Sequence, residues 1–496
     1  MLTEKNNTFL SDTLKNELRN YNFAQINFKE SKDKQLVPVV NNLSLHSTYY
    51  PLKESTKIIF PDEQSTLCIA IGFGAGYHLI ELSKQNKEII AIPIEKSILS
   101  EILKKIDLSQ WFKKDNLKII NEDEILHYFN FFKYKCFHFI IHPVLQNMYP
   151  NKVNKVINNI GALLKGPLLE INTQRKFGKL WFYNIIRNIL YLFENGYNFE
   201  PLIINKKPVL ITGAGPSLFE NIDIILKNKD KLFIAATDTS LKVLNKFNIT
   251  PDIAFTFDSQ QETLSHFIGI KNLPRIFTDF TSIIRLNKNQ TIVFSNHPVI
   301  NVFKKTGWNP VLLSSNTRNI GGAIIDFFSS YFPEYPIITV GIDYGIYKNQ
   351  FYSKGSYSNE YKYIFSTYFK TENNIDTALI YRDKFNKIKD KWKSTDLFEK
   401  YSKSINITKN IYSLSTSPFT SFNRIKTLKY IIDQADNLEK STLFIEKPNF
   451  NKDDLITIYI EEIKNNPQIL YSYFLSNGEY PNQISIEKII QTLKKL

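Results

Sequence analysis

Apolar residues fall into short unbroken runs separated by glycine-rich and polar turns, the pattern of buried strands alternating with helices. The first run, Leu67 to Ile71, leads into Gly72-Phe73-Gly74-Ala75-Gly76 and a helical stretch through Tyr77, Leu79, Ile80 and Leu82. A second, Ile89 to Ile94, ends at Glu95, and a third, Phe137 to Ile141, ends at His142-Pro143. This is βαβ spacing and predicts parallel strands. Phe177, Leu180, Trp181, Ile185, Ile189, Leu192 and Phe193 then recur at three- and four-residue steps, predicting one long helix over 173–195. Asn184 and Asn188 sit one turn apart beside that stripe. Asparagine is a weak helix former, so the pair implies either polar work or simple exposure.

A second doubly wound unit begins near Asn205. Its expected strands are Val209 to Thr212, Leu232 to Thr237, Ile253 to Phe257, Arg275 to Thr278, Thr291 to Ser295 and Ile337 to Gly341. From about Asn359 the strand runs cease and helical periods appear at 425–438 and 484–495. The expected fold class is α/β: two Rossmann-like doubly wound units followed by a mainly helical C-terminal domain. The expected boundaries are 1–165, a connecting helix over 166–204, a central domain over 205–358, and a C-terminal domain over 359–496.

Composition changes this picture little. The 496 residues suffice for about three domains. Two cysteines exclude a disulfide framework, and no Cys/His cluster has zinc-site spacing, so no metal site is expected. The first twenty residues lack a signal-peptide core and no apolar run is long enough to span a bilayer, which predicts a cytoplasmic protein without a membrane span. The net charge is +14, but no dense basic run with interleaved aromatics accompanies it. Lys, Asn, Ile and Phe are abundant together, as A/T-rich codons would supply, so nucleic acid is not an expected partner. A basic surface still favours an anionic substrate.

The chemistry gathers after the strands of the second unit. Successive strands end in Gly213-Ala214-Gly215-Pro216-Ser217, Asp238-Thr239, Asp258-Ser259-Gln260, Asp279, Asn296-His297 and Asp343. In parallel α/β sheets the ligand sits beyond the carboxyl ends of the strands, so these endings are expected to face one crevice. One such Asp would mean only a cap or a turn. The glycine loop permits close backbone approach, Pro216 suits a first helical turn, and the helix start favours an anion. It lacks the Gly-Lys-Ser/Thr ending of a Walker loop. Ser314-Ser315-Asn316-Thr317-Arg318-Asn319 before Gly321-Gly322 suits a carboxylate or phosphate. Tyr347 to Tyr363, with Lys354-Gly355-Ser356, reads equally as a lid or a surface loop. Of seven histidines, His297 alone follows a strand end in this unit, as a general base or a turn cap. In the first unit, Gly72-x-Gly74-x-Gly76 with Glu95 resembles an S-adenosylmethionine or dinucleotide site, though a ligand-free Rossmann-like fold is the favoured reading.

Taken in order, Pro208 to Leu218, Ala236-Thr-Asp238-Thr and Pro251 to Gln260 resemble the motility-associated factor glycosyltransferases, as do Gly321-Gly322, Gly341-Ile-Asp343-Tyr and Lys354-Gly-Ser356. Phe177 to Trp181 with Asn184 and Asn188, and Gly72 to His78, fit too. Ile342 stands where the family usually has Gln, and Tyr352 where His is common. The family's central domain is similar to CMP-sialic-acid-dependent sialyltransferases and to archaeal 6-hydroxymethylpterin diphosphokinases. The resemblance implies transfer of a nonulosonic sugar, such as pseudaminic acid, from a CMP donor to Ser/Thr of flagellin without an obligatory metal. Gly213, Gly215, Pro216 and Ser217 would then hold phosphate, and Asp238, Thr239, Asp258 and Gln260 the ribose or base. Thr317, Arg318, Gly321, Gly322, Asp343, Lys354 and Ser356 would complete the donor site, Arg318 and Lys354 neutralising the sugar carboxylate. His297 or Asp258 would be the base. The alternatives are a diphosphokinase, with Mg²⁺ and ATP on Asp238, Asp258 and Asp343, and a non-catalytic scaffold with a degenerate site.

Overall fold

The structure is a computed structural model that describes every residue except 1–4, 20–25, 58–65, 86, 129–135, 195–196, 284–288, 296, 314–316, 318, 406–409, 479–482 and 496. It divides into two units, Met1–Lys176 and Phe177–Leu496.

In the first unit, β1 (Thr66–Ile71), β2 (Ile89–Ile92), β3 (Leu117–Ile119) and β4 (Cys136–Ile141) form a parallel sheet in the order β3-β2-β1-β4. All of β1 is buried because successive side chains enter two different cores. Cys68 and Ala70 pack with Ile98, Leu99 and Ile102 of the helix Lys96–Lys105. Leu67, Ile69 and Ile71 pack with Val153, Ile160 and Leu164 of the long helix Pro150–Glu194. That helix has 45 residues and starts well before the expected 173. The helix continues through Gly161 and Gly166-Pro167. An antiparallel sheet of Ile26–Glu30, Leu36–Val40 and Leu43–Ser44 precedes β1.

The second unit contains eight parallel strands: β5 (Val209–Thr212), β6 (Phe233–Thr237), β7 (Ile253–Thr256), β8 (Arg275–Asp279), β9 (Gln290–Val293), β10 (Ile337–Val340), β11 (Ile411–Ser413) and β12 (Asn423–Arg424). Their order is β9-β8-β7-β6-β5-β10-β11-β12. The order reverses between β5 and β10, which makes the ends of those two strands the topological switch point. Val209 and Ile211 enter one core and Leu210 the other, so β5 is covered on both faces as its unbroken apolar run requires.

The segment 359–496 is mainly helical, but it is not separate. Its strands β11 and β12 extend the sheet next to β10, and Ser441–Leu443 pairs with Leu202–Ile204. These strands are two or three residues long, too short to show an alternating pattern. The expected boundary at 358 therefore falls inside the second unit.

Asn184 and Asn188 are buried, which settles their ambiguity. Asn184 Nδ2 donates to the carbonyls of Ser259 and Thr281 at 3.2 and 3.0 Å, and Asn188 Nδ2 to those of Phe280 and Ser282 at 2.8 and 2.9 Å. The helix thereby grips the loops that follow β7 and β8, with four carbonyls satisfied by two amides.

Candidate functional site

At the switch point the loops after β5 and β10 are in direct backbone contact. Gly213 N donates to Val340 O and Gly215 N to Gly341 O, both at 2.8 Å. A Cβ on Gly213 would run into the Gly341 carbonyl, and one on Gly341 into the Gly213 carbonyl, so neither position accepts a side chain. These glycines bring two strand ends together rather than opening a phosphate cradle.

Ser217 and Asp343 complete that closure. The Asp343 carboxylate accepts from Ser217 N at 3.0 Å, from Ser217 Oγ at 2.6 Å and from Ser415 Oγ. Gly341 N donates to Ser217 Oγ at 2.8 Å, and Ser417 Oγ to the Asp343 carbonyl at 2.6 Å. Both residues are buried, and burial pushes the Asp343 carboxyl above its ordinary range, opposed by its hydrogen bonds. The helix-start donors expected to hold phosphate are thus occupied by an internal carboxylate. Ser413, Ser415 and Ser417 alternate along Tyr412 to Phe419, so the loop after β11 supplies part of this network.

A Cβ on Gly321 would meet Ile342 at 3.1 Å, and one on Gly322 would meet Thr317 at 2.5 Å, so this glycine pair serves helix packing. Thr317 is fully buried, and Asn319 caps the helix Ile320–Tyr331 through Gly322 N at 2.8 Å. Arg318, Asn296 and 314–316 lie outside the described residues. Ser356 is buried and accepts from Asn359 N at 3.2 Å, within the first turn of Tyr357–Phe365. Lys354 is exposed, its ammonium 5.8 Å from the Phe219 ring centre. Ser353 N donates to Ala214 O at 2.7 Å, which ties the 351–356 segment to the glycine loop. In the first unit, Glu95 is engaged by Lys152, not held open for a ribose.

His297 does not have a base's geometry. Its Nδ1 accepts from Val299 N at 3.2 Å, so in the neutral ring Nε2 carries the proton and donates. Burial pushes its pKa down to about 4, with Asp279 acting in the opposite sense. Asp279 is itself consumed by Thr281 and by Ser295 N at 2.8 Å.

What remains open lies beyond β6 and β7. Asp238 is buried and accepts from Thr239 N at 2.7 Å and Thr256 Oγ1 at 2.8 Å. Thr239 is half-buried, its hydroxyl 2.9 Å from that of Thr237. Burial pushes the Asp238 pKa up to about 6, and the negative charge of Asp258 adds to the rise. Asp258 is exposed and is held by Gln260, whose N donates at 3.0 Å and whose Nε2 lies 3.3 Å from both carboxylate oxygens. Asp238 and Asp258 thus follow two adjacent strands, β6 and β7.

The sequence reading passed over His266. It sits in the helical turn Gln261–Phe267 that follows the β7 loop, 5.7 Å edge-on from the Tyr357 ring. Its Nδ1 is buried without a hydrogen-bond partner. Burial holds its pKa below the ordinary value, and Asp258 pulls it back up. An imidazole beside a carboxylate can take a proton from a hydroxyl. The available signal was Asp258-Ser259-Gln260 with a histidine, His266, eight positions after the carboxylate. Lys242 stands 5.5 Å from the Tyr357 ring and is paired with Glu360 at 2.7 Å, and Lys246 engages the same carboxylate.

The raised acid makes a pH prediction. Asp238 binds its proton more tightly folded than unfolded, so its contribution to stability is complete below about pH 4 and is lost as pH rises through about 6. The loss is at most about 3 kcal/mol. Asp238→Asn removes this titration, so its melting temperature relative to the parent rises from pH 4 to pH 7. A difference independent of pH would contradict the assignment.

A parallel sheet with a tightly closed switch point and an Asp-Gln-His corner beyond β7 defines a doubly wound α/β protein. Residues 183–349 match the family model described as 6-hydroxymethylpterin diphosphokinase MptE-like, and residues 64–141 match that of a putative methyltransferase. The Maf glycosyltransferase from Magnetospirillum magneticum AMB-1 has the same fold, with a TM-score of 0.54 over 96% of this chain and 86% of that one, at 12% identity. Both findings support the resemblance to the motility-associated factor family drawn from the motifs. Two uncharacterized proteins of Treponema pallidum (strain Nichols) are each 29% identical, over 25% and 28% of this chain. The matches span 58% and 24% of those relatives. Among the described residues no helix is long and apolar enough to cross a membrane.

Proposed function

We propose that this protein is a glycosyltransferase that moves a nonulosonic, sialic-acid-like sugar from a CMP donor to a Ser/Thr hydroxyl of flagellin or a similar protein. The observation that carries the reading is the open Asp258-Gln260-His266 corner beyond β7, set in a fold shared with a Maf glycosyltransferase. Asp258 and Gln260 take the ribose and base, His266 accepts the proton of the incoming hydroxyl, and Lys354 supplies positive charge toward the donor. CMP leaves as a stable anion, so the chemistry asks for a positioned base more than for a Lewis acid.

The MptE-like match favours a diphosphokinase as the second reading. Its Mg²⁺ would need several free carboxylate oxygens. The three carboxylates assigned to it do not fit. Asp343 and Asp238 are buried and already accept three and two hydrogen bonds, which leaves Asp258 as the one exposed member of that set.

The test is thermal unfolding with CMP alone and with Mg·ATP, followed by intact mass of flagellin incubated with a CMP-nonulosonate donor. The proposal expects CMP to raise the melting temperature without Mg²⁺ and flagellin to gain whole sugar masses. Stabilisation by Mg·ATP alone would hand the site to the kinase reading. No stabilisation by either would mark a scaffold.

A further inference from the structure

His46, His78 and His142 are far apart in the chain, and zinc-type sequence spacing is absent. Yet one nitrogen from each lies within 4.8 Å of the others, and all three rings are buried in the first unit. Three local features bring them together. His142 follows β4 as the cap of Pro143–Met148, and His78 sits in the turn Tyr77–Leu79 just after the glycine loop. His46 reaches in from the segment after Leu43–Ser44, stacking on His78 at 5.7 Å and meeting His142 edge-on at 4.9 Å. The loop passes so close that a Cβ on Gly74 would meet His46 Nε2 at 2.6 Å and His142 Nε2 at 2.7 Å. The glycine-rich turn that resembles a nucleotide loop is thus filled by imidazoles.

Packing alone accounts poorly for this cluster. Both nitrogens of His78 are buried with no hydrogen-bond partner, so a neutral ring there leaves one donor and one acceptor unsatisfied. His46 is oriented as metal-binding histidines are: Nδ1 lies 2.6 Å from Glu54 Oε2, which leaves Nε2 facing the cluster.

We propose that His46, His78 and His142 bind one divalent transition-metal ion, of the zinc or cobalt type, which clamps the glycine loop of the first unit to the His46–Glu54 segment. Three imidazole ligands suit such a cation and not Mg²⁺ or Ca²⁺. At metal–nitrogen distances of about 2.0–2.1 Å, tetrahedral ligands stand roughly 3.4 Å apart, so each ring closes in by about an ångström on binding. Binding displaces two contacts, the Ala75 N–H on His46 Nε2 at 2.9 Å and the long Leu145 N–H on His142 Nδ1 at 3.3 Å. His78 has none to lose. The burial of all three rings makes the ion a structural clamp, with Glu54 fixing the His46 tautomer.

The test uses the full chain, without a histidine tag, stripped with a chelator and then titrated with Zn²⁺ or Co²⁺. The proposal expects about one ion per chain by elemental analysis, a tetrahedral Co²⁺ visible spectrum, and a melting temperature that rises on reloading. In His78→Gln, metal content and the Co²⁺ bands disappear while circular dichroism and melting match the stripped parent. Glu54→Gln keeps the site but weakens affinity tenfold to a hundredfold. Substoichiometric metal with no Co²⁺ bands in the parent would overturn the proposal, and so would unchanged binding in His78→Gln.

Discussion

Asp343→Ala unfolds more readily than the parent by about 3 kcal/mol or more, although Asp343 ends a strand as a ligand-binding residue would. Three donors converge on its carboxylate from two different loops: Ser217 N, Ser217 Oγ and Ser415 Oγ. Removing it leaves all three buried without an acceptor, and the Ser217 N–H cannot turn elsewhere because it belongs to a helix start. Asp343→Asn retains one oxygen and the shape. The serine hydroxyls can rotate to accept from its amide, so it costs roughly half as much. The measurement is urea or thermal unfolding of both variants, with a fall in melting temperature of about 6 °C or more for Ala. If Asp343→Ala melts like the parent while nucleotide binding is lost, the residue is a ligand contact and the closed network is not its role.

That network explains where the sequence was legible and where it was not. Buried parallel strands announce themselves as unbroken apolar runs, so β1, β2 and β5 to β10 were readable to within a residue or two; their order in the sheet, and with it the switch point, was not. The strand endings were readable as polar residues. Whether an ending faces solvent or a neighbouring loop depends on tertiary pairing, which no local pattern records. Asp343 and Asp258 look alike in the chain; one is consumed by Ser217 after β5 and by Ser415 just after β11, a three-residue strand without a period, and the other stays open. Gly321 and Gly322 face Ile342 and Thr317 for the same reason: helix packing and ligand approach both call for glycine. The histidine cluster of the first unit was invisible because its members come from three separate segments. The start of the long helix was not legible from the apolar stripe over 177–193, because its first turns are held by burial of Val153, Ile160 and Leu164 against the sheet of the first unit.

Asp258→Asn leaves the fold intact and weakens nucleotide binding and transfer at least tenfold, about 1.4 kcal/mol. The carboxylate is exposed, and its bonds run to Gln260 in its own turn, so unfolding loses little and the melting temperature stays within about 2 °C. The charge is what the variant removes. It supports His266, whose pKa Asp258 raises against the opposing effect of burial, and it is the open carboxylate available to ribose hydroxyls. His266→Asn separates the two roles. It keeps nucleotide affinity near the parent's and lowers kcat about a hundredfold, the scale of a lost general base. The rate of the parent falls as pH drops below the His266 pKa, which burial holds below the ordinary histidine value, and this acidic limb disappears in His266→Asn. In Asp258→Asn the limb moves to lower pH, because the group that raised the imidazole pKa is gone. An Asp258→Asn protein that binds CMP and ATP as the parent does, with an unshifted acidic limb, would reduce Asp258 to a turn residue and move the site elsewhere along the sheet edge.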